Sequence, residues 1–356
     1  MITYKDFIEC FSDKSQAEGK PIQGQMELTF RCNLKCVHCY IPRSKRQEVR
    51  SKKQEELSYS EVCSILDEIH EEGCLWLTFT GGEPLLRKDF LDIYTYAKEK
   101  GFLITLFTNG TLITEEIADY LKVYSPFMID ITLNGITKET YEKITGVPGS
   151  FQKCLKGIHL LLERNLPLTL KSNGMRLNRD EILRIKEYAE GLGAKYRYDS
   201  LITARLDSSK KPCQLRLSPE EIIDIESTDE TMQEQWRRYL ESKPKLSNRN
   251  NLFRCGAGIS SFHISPYGEL QLCQLLRRPN FDLGKGSFRE GFYQLFPKIR
   301  SREYQTNSKC KDCRLWHLCP QCPARAELEN GDQEAPVDYF CQLAHKRQEM
   351  ETALAG

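Results

Sequence analysis

Short apolar segments alternate with longer amphipathic segments from Gln25 to about Ser200. The apolar segments have the length of buried strands, whereas the amphipathic segments repeat apolar residues at helical spacing and end near Gly or Asn. Strict alternation of strands and helices predicts a parallel sheet with right-handed crossovers. The six predicted strands are 26–30, 75–80, 102–108, 127–133, 166–172 and 194–200.

About six parallel strands form either a doubly wound sheet or a partial barrel, and both folds collect ligands at the carboxyl ends of the strands. Residues that suit a functional site follow the first five predicted strands at that end. They are Cys32, the segment 81–84 and the turns 108–110, 134–135 and 173–174. We therefore expect one edge of the sheet to carry the chemistry.

The composition narrows the class of protein. The chain has 356 residues, of which 40% are hydrophobic and 28% charged, as in one large or two unequal globular domains. Its 51 basic residues nearly balance its 50 acidic ones, so the net charge favours neither nucleic acid nor an anionic membrane as a partner. No apolar run approaches the roughly 18 to 20 residues that span a bilayer, and the polar start is no signal peptide. These features predict a cytoplasmic protein.

Fifteen cysteines are the most informative part of the composition. An odd number cannot all pair internally, and the chain carries no export signal, so metal binding is favoured over a disulfide framework. Ten of them form an N-terminal triplet and a C-terminal group of seven. The scattered ones, which need no function, are Cys10, Cys63, Cys74, Cys154 and Cys213.

The triplet Cys32, Cys36 and Cys39 has the spacing C-x3-C-x2-C and places three thiolates on one loop. Three thiolates can hold three corners of a 4Fe-4S cluster, and the missing fourth ligand leaves one iron open to bind a small molecule. A zinc site that lacks its fourth ligand is the alternative. The uneven spacing and the position of His38 inside the triplet weaken that alternative.

The triplet and the segment Gly81-Gly82-Glu83-Pro84 together resemble the radical SAM enzyme superfamily, over about residues 25 to 345. The resemblance implies a partial (β/α)6 TIM-like barrel whose cluster binds the amino and carboxylate groups of S-adenosylmethionine (SAM). It also implies that the reduced cluster cleaves SAM to a 5'-deoxyadenosyl radical, which abstracts hydrogen from the substrate. An external electron donor such as flavodoxin or ferredoxin would supply the electron.

The resemblance further implies, by position, which residues contact SAM. His38 precedes the third cysteine, where relatives place a residue that stacks near the adenine, and segment 81–84 bonds the methionyl ammonium. Asn134 stands where relatives commonly have Asp, so a charge is removed there. The implied cofactor-binding residues are His38, Gly81, Gly82, Glu83, Pro84, Thr108, Asn109, Thr132, Asn134, Lys171 and Asn173.

The seven C-terminal cysteines exceed what one tetrahedral site can use, so at least two metal centres are expected. Their pattern resembles a SPASM domain, the extension of radical SAM peptide maturases that carries auxiliary iron-sulfur clusters. Structural zinc is the alternative, because close cysteine pairs also bind zinc. The resemblance assigns Cys310, Cys313, Cys319 and Cys341 to one auxiliary cluster and Cys255, Cys273 and Cys322 to the other.

The second auxiliary cluster departs from the family pattern. Relatives with eight cysteines carry an additional one at the place of Ser261 in this chain. The resemblance therefore implies an open iron or a non-cysteine ligand in that cluster. The spacing before Cys322 is also one residue shorter than the usual C-x5-C-x3-C.

Shifts in composition divide the chain into five parts. The basic segment 42–53 within the barrel is expected to be a solvated, mobile loop, with gripping of a substrate as the alternative. The parts are an N-terminal segment 1–24, a radical SAM barrel 25–205, a bridging region 206–250, a SPASM domain 251–345 and a tail 346–356.

The SPASM resemblance implies a peptide substrate and its modification by a crosslink, an oxidation or an epimerisation. Only about 24 residues precede the first strand, so a separate leader-binding protein, or none, is expected. The alternatives are a radical SAM oxidoreductase acting on a small molecule or a folded protein, as sulfatase maturases do, and a non-catalytic iron-sulfur scaffold. No nucleic-acid or membrane partner is expected.

The catalytic acid or base, if the reaction uses one, is not identified by the sequence. A group of polar residues lies near the end of the sixth predicted strand, but a solvated strand edge explains them about as well. They are Tyr196, Arg197, Tyr198, Asp199 and Arg205.

Overall fold

The computed structural model describes residues 14–355 apart from residues 16 and 43 and the segments 45–54 and 242–247. Most of the basic segment 42–53, for which a mobile loop was expected, therefore lies outside the described residues. The same holds for residues 1–13 of the N-terminal segment and for residue 356 of the tail.

Six parallel strands form the centre of the fold, close to the predicted positions. Their order in the sheet is β6-β5-β4-β3-β2-β1, so neighbours in sequence are neighbours in space. This order has no point at which it reverses, as a doubly wound sheet requires, so the expected partial barrel is confirmed. The strands are β1 (Gln23–Thr29), β2 (Trp76–Gly81), β3 (Leu103–Thr108), β4 (Met128–Thr132), β5 (Leu168–Asn173) and β6 (Lys195–Asp199).

The crossover helices pack their apolar faces against one side of this sheet. Several begin at a capping residue: Ser58 and Glu61 form a capping box, and the Thr114 and Thr137 hydroxyls accept backbone N–H groups. The helices are α1 (Tyr59–Glu71), α2 (Phe90–Glu99), α3 (Glu115–Val123), α4 (Lys138–Thr145), α5 (Ser150–Leu162) and α6 (Ile182–Gly191). Short 3-10 turns lie at Pro84–Leu86 and Arg179–Glu181.

Alternation along the strands separates the core from the site. Leu77 and Phe79 of β2 are fully buried in the apolar core beneath the helices. Thr78 and Thr80 alternate with them and line a cavity on the opposite face. The same alternation holds along β3, where Ile104 and Leu106 are buried and Phe107 faces the cavity. The strand period of two therefore delivers polar side chains to one face.

The C-terminal part of the chain continues the same sheet, which the sequence did not predict. Strand β7 (Ser261–Ile264) pairs with β1 in parallel, and β8 (Glu269–Gln271) and β9 (Phe281–Asp282) follow in antiparallel order. Gly24 of β1 leaves room for the Phe262 ring, since a Cβ there would lie 2.4 Å from the ring. The nine-stranded sheet thus joins the expected barrel to the expected SPASM region.

The remaining helices tie the expected bridging region to the C-terminus. Arg216 pairs with Glu329, and Arg347 pairs with Glu226, and all four side chains are at most about 10% exposed. In the described part of the chain no helix is long and apolar enough to cross a membrane. The helices are α7 (Pro219–Thr228), α8 (Glu230–Glu241), α9 (Phe288–Glu290), α10 (Phe296–Arg300), α11 (Pro323–Asn330) and α12 (Asp338–Ala355), with a 3-10 turn at Lys211–Leu215 and a π-helical turn at Gly291–Leu295.

Candidate active site

A cavity of about 730 Å³ opens at the carboxyl ends of the strands. It is lined by the polar face of the sheet and by the turns that follow the strands. Most of the residues predicted to bind the SAM cluster or SAM come together in this one cavity. They are Cys32, Cys36, His38, Cys39, Gly81, Gly82, Thr108, Asn109, Thr132, Asn134, Lys171 and Asn173.

The loop that carries the cysteine triplet is held by backbone and side-chain hydrogen bonds. Lys35 and Val37 donate their N–H groups to carbonyls at the end of α4, at 2.8 and 3.0 Å. Arg205 donates to the carbonyls of Cys39 and Val37 at 3.3 and 3.4 Å. Arg205 thus has a place in the site, because it fixes the loop between the second and third cysteines.

Gly81 and Gly82 allow the turn after β2 to press against the chain that leads to Cys32. A Cβ at Gly81 would lie 2.2 Å from the carbonyl oxygen of Thr29, and one at Gly82 would lie 2.2 Å from that of Arg31. Gly81 also has a φ of +139°, which side chains disfavour. Any larger residue would push this turn away from the triplet loop. The cradle fits the predicted role of these glycines, which is to bring backbone carbonyls close to a ligand.

Glu83 is fully buried and supports the neighbouring turn instead of lining the cavity. Its carboxylate accepts hydrogen bonds from the Thr108 hydroxyl at 2.8 Å, the Asn109 N–H at 2.8 Å and the Leu85 N–H at 3.2 Å. Burial raises the pKa of Glu83 to about 7. Pro84 opens the 3-10 turn that follows and is also buried. The geometry thus makes Glu83 a support for the turn at Thr108 and Asn109.

Asn134 contacts two other residues that were predicted to bind SAM. Its Nδ2 lies 3.3 Å from Nε2 of His38, and its Oδ1 accepts the N–H of Asn173 at 2.8 Å. Which of the two nitrogens donates in the first contact depends on the tautomer of His38. Asn134 therefore links three predicted SAM-site residues in one chain of hydrogen bonds.

Asn33, inside the triplet loop, is a site residue that the sequence did not single out. It accepts from Asn109 Nδ2 at 2.9 Å and donates to the Thr111 hydroxyl at 2.8 Å. Asn109 Nδ2 also lies 3.9 Å from the Cys32 sulfur. The turn after β3 is thereby tied to the triplet, and the position of Asn33 next to Cys32 was the available signal.

Glu27 of β1 is a second feature that sequence reasoning missed. It is fully buried, and its carboxylate accepts from the Tyr40 hydroxyl at 2.6 Å and from two nitrogens of Arg277 at 3.0 and 3.3 Å. His263 lies 3.4 Å away, but burial lowers its pKa to about 4, so Arg277 is the charged partner. Tyr40 follows Cys39, and Arg277 follows Cys273 by four residues. One carboxylate thus connects the two cysteine-bearing loops.

The C-terminal cysteines lie close together beside a second cavity of about 320 Å³. Burial raises the pKa of the Cys273 thiol, and the nearby Cys322 and Cys255 raise it further. Burial also raises the pKa of Cys319 to about 12, and its thiol neighbours Cys341, Cys310 and Cys313 act in the same direction. The seven thiols thus form two groups of neighbours. The first group is Cys255, Cys273 and Cys322, and the second is Cys310, Cys313, Cys319 and Cys341.

Cys273 and Ser261 line the first cavity, whereas the other six C-terminal cysteines line the second. Ser261, which stands where relatives have an eighth cysteine, therefore faces the same cavity as the triplet. Among the described residues, no three His, Cys, Asp or Glu side chains converge closely enough to hold one metal ion. None of the cysteines in the described part of the chain forms a disulfide.

Comparison with known proteins adds three findings. The model of the radical SAM superfamily matches residues 26–189. An AdoMet-dependent heme synthase of Methanosarcina barkeri (strain Fusaro / DSM 804) is 29% identical over 337 residues, which cover 88% of this chain and 95% of the relative. The PqqA peptide cyclase of Granulibacter bethesdensis is 34% identical over 169 residues, which cover 47% of this chain and 44% of the cyclase.

A solved structure shares the fold over nearly the whole chain. The crystal structure of Streptococcus suis SuiB bound to precursor peptide SuiA matches with a TM-score of 0.70 at 17% identity. The match covers 96% of this chain and 81% of that chain, so it includes the cysteine-rich C-terminal region as well as the barrel.

Proposed function

The chain belongs to the radical SAM superfamily, and from this premise we propose that it is a peptide-modifying enzyme in which Cys32, Cys36 and Cys39 hold the SAM-binding cluster. When bound, SAM and this cluster supply one-electron reduction and hydrogen-atom abstraction. The single observation that carries the proposal is the shared cavity: the triplet, the Gly81-Gly82 cradle and the polar face of the strands all line it.

The residues of the cavity have separate tasks in this proposal. With SAM bound, the backbone of Gly81 and Gly82 would receive the methionyl ammonium, since no side chain blocks its carbonyls. His38, which contacts Asn134, would stack near the adenine. Glu83 holds the turn of Thr108 and Asn109 in place from beneath. The walls exclude water from the reacting atoms, which protects radical chemistry from side reactions.

Two auxiliary iron-sulfur clusters are proposed for the C-terminal region. Cys310, Cys313, Cys319 and Cys341 would hold one, and Cys255, Cys273 and Cys322 the other. The grouping of their thiols supports this division. Ser261 faces the first cavity and is a candidate for the remaining ligand position. Iron and sulfide analysis would then give well over the roughly four irons of one cluster per chain, whereas zinc at these cysteines would contradict the proposal.

The peptide as substrate is supported by relatives of two kinds. PqqA peptide cyclase is similar in sequence to part of this chain, and SuiB, solved with its precursor peptide, has the same fold. A peptide would enter through the open end of the cavity. A separate leader-binding protein and an external electron donor such as flavodoxin or ferredoxin complete the proposal.

A tetrapyrrole is the second candidate substrate. The heme synthase is similar over 95% of its own length, whereas the aligned part of the peptide cyclase is 44% of that protein. A small molecule acted on within the same cavity would need no leader-binding protein. This candidate keeps the radical chemistry and changes only the substrate.

The chemistry is tested by 5'-deoxyadenosine release after anaerobic reconstitution with iron and sulfide, in the presence of dithionite and SAM. We expect release from the native chain and none above background from Cys36→Ala. Cys63→Ala is the matched control, because Cys63 lies on α1 outside both cysteine sites. Equal release from native chain and Cys36→Ala would refute the cluster assignment.

The substrate is tested by mass spectrometry of two candidates incubated with the active enzyme. Precursor peptides encoded near the gene are expected to lose hydrogen atoms or to gain a crosslink. Iron-coproporphyrin III is the tetrapyrrole candidate, because it is named in another relative, the Fe-coproporphyrin III synthase of Methanosarcina barkeri, which is 38% identical over 144 residues. Its conversion, with all such peptides unchanged, would replace the peptide proposal by the second candidate.

A further inference from the structure

Two cations on neighbouring strands share a single carboxylate at the wall of the cavity. Lys171 of β5 and Arg197 of β6 are opposite each other in the sheet register, and both line the cavity. Lys171 Nζ lies 3.6 Å from the Asp130 carboxylate, and Arg197 Nη1 lies 3.9 Å from the same oxygen. The group therefore carries one positive charge in excess.

Among the residues that the structure describes, no second carboxylate lies within ion-pair distance of Lys171 or Arg197. The Phe107 ring lies beneath the two cations, 3.6 Å from Lys171 Nζ and 5.9 Å from Arg197 Cζ. A ring face attracts cations but supplies no formal charge. Asp199 also lines the cavity, and its Oδ1 accepts the N–H of Leu201 at 2.8 Å. It is close enough to favour the charged form of Lys171, although no ion pair joins the two. Arg325 lines the same cavity and is a further cation.

The two cations differ in how much of each side chain is exposed. The Lys171 side chain is 20% exposed and the Arg197 side chain 58%, whereas Asp130 is only 6% exposed. Lys171 is thus held between Asp130 and the ring, and the more exposed Arg197 lines both this cavity and a neighbouring one of about 760 Å³. A guanidinium in this setting can bind a carboxylate through two parallel hydrogen bonds.

We propose that Arg197, backed by Lys171, forms a subsite for a carboxylate group of the substrate. The proposal rests on the proposed function and narrows the substrate class to molecules that carry a carboxylate near the reacting carbon. Two sources supply that chemistry: an acidic side chain of a peptide, or a carboxylate of a tetrapyrrole. Lys171 is the cation predicted to contact SAM, so we assign the more exposed Arg197 to the substrate.

The test measures binding to the reconstituted, SAM-loaded chain without reductant, so that no turnover occurs. The peptide arm uses acetyl-Ala-Glu-Ala-Glu-Ala-amide and the same peptide with Gln in place of Glu. The tetrapyrrole arm uses coproporphyrin III and its tetramethyl ester. Each pair differs in charge and little in shape, and titration calorimetry gives the dissociation constants.

Arg197→Gln is compared with Lys195→Gln, which removes a charge of the same sign from the same face of β6. Lys195 is exposed and does not line the cavity of the cysteine triplet, so its loss controls for net charge and for folding. We expect one acid probe to bind the native chain and Lys195→Gln alike, and to bind Arg197→Gln about tenfold or more weakly. Arg197→Lys should recover part of the affinity. If the acidic peptide shows this loss of affinity, the carboxylate comes from a peptide side chain. If coproporphyrin III shows it, the carboxylate comes from a tetrapyrrole.

Three results would overturn the proposal. In the first, Arg197→Gln and the native chain bind the acid probe with equal affinity. In the second, Arg197→Gln loses as much affinity for the neutral probe as for the acid probe. In the third, it loses as much affinity for SAM as for the acid probe. Failure of the proposed function is distinguishable, because the chain would then release no 5'-deoxyadenosine once dithionite is added, whatever the affinity of the probes.

Discussion

Burial of the Glu83 carboxylate has a desolvation cost, which appears as a raised pKa. The carboxylate is fully buried and accepts three hydrogen bonds, yet burial still raises its pKa from 4.5 to about 7. The hydrogen bonds lower the pKa and desolvation outweighs them. The folded chain therefore binds a proton here at pH values at which the unfolded chain has released it.

A prediction for pH follows from this difference. Between the two pKa values the folded state holds more protons, so the free energy of unfolding decreases as the pH rises from about 4.5 to about 7, by about 3 kcal/mol. Glu83→Gln does not titrate and should lack this decrease. Anaerobic urea unfolding of both chains at several pH values in this range measures it. Parallel curves for native chain and variant would show that the buried carboxylate is not the cause.

At the scale of elements, the pairing of β7 with β1 decides whether the barrel is an independent unit. Gln23–Met26 of β1 pair with Ser261–Ile264 of β7 on the side away from β2. Without β7, the edge of β1 would present unpaired N–H and carbonyl groups, a template for association between chains. The Phe262 ring that covers Gly24 would be lost as well.

We therefore predict that a chain ending at residue 250 does not fold as a monomer. The exposed edge of β1 and the uncovered apolar surface should drive aggregation, seen by light scattering and by early elution in size-exclusion chromatography. The full-length chain, handled identically, is the control. A monomeric fragment with a sharp unfolding transition would show instead that the barrel is a separate module.

At the scale of the whole molecule, buried ion pairs join segments that are far apart in sequence. Arg216 donates two hydrogen bonds to Glu329, and its guanidinium lies 4.5 Å from the Tyr339 ring centroid. Both partners of the pair are less than 10% exposed. Such a pair adds little net stability compared with apolar residues, but loss of one partner strands a buried charge. Its effect is to fix α11 against the bridging region.

Glu329→Gln is accordingly predicted to lower the free energy of unfolding by about 3 to 5 kcal/mol, because the Arg216 guanidinium stays buried without its counter-charge. The double variant Arg216→Met with Glu329→Leu should regain most of this loss. Chemical denaturation of the three chains provides the measurement. Asp282→Asn, at the exposed pair with Lys285, is the control and should leave stability unchanged. A double variant no better than the single one would contradict the argument.

Some residues of the candidate site could be predicted from the sequence, and others could not. Cys32, Gly81, Gly82 and Asn134 could be located because they sit next to strand ends whose positions follow from the apolar pattern. Glu27 could not, because nothing near it in the sequence indicates a partner 250 residues away. Arg197 was noticed, but a solvated edge explained it equally well until the register placed it beside Lys171.

The sequence by itself determined the local properties of the chain: the alternation of strands and helices, the polar face of each strand, and the spacing of the cysteines. These depend on residues a few positions apart, where periodicity acts directly. The tertiary structure decided the consecutive strand order, the addition of β7 to β1, the burial of Glu27 and Glu83, and the shared carboxylate of Lys171 and Arg197. Each of these depends on which distant segments pack together, and therefore on long-range contacts that no local pattern specifies.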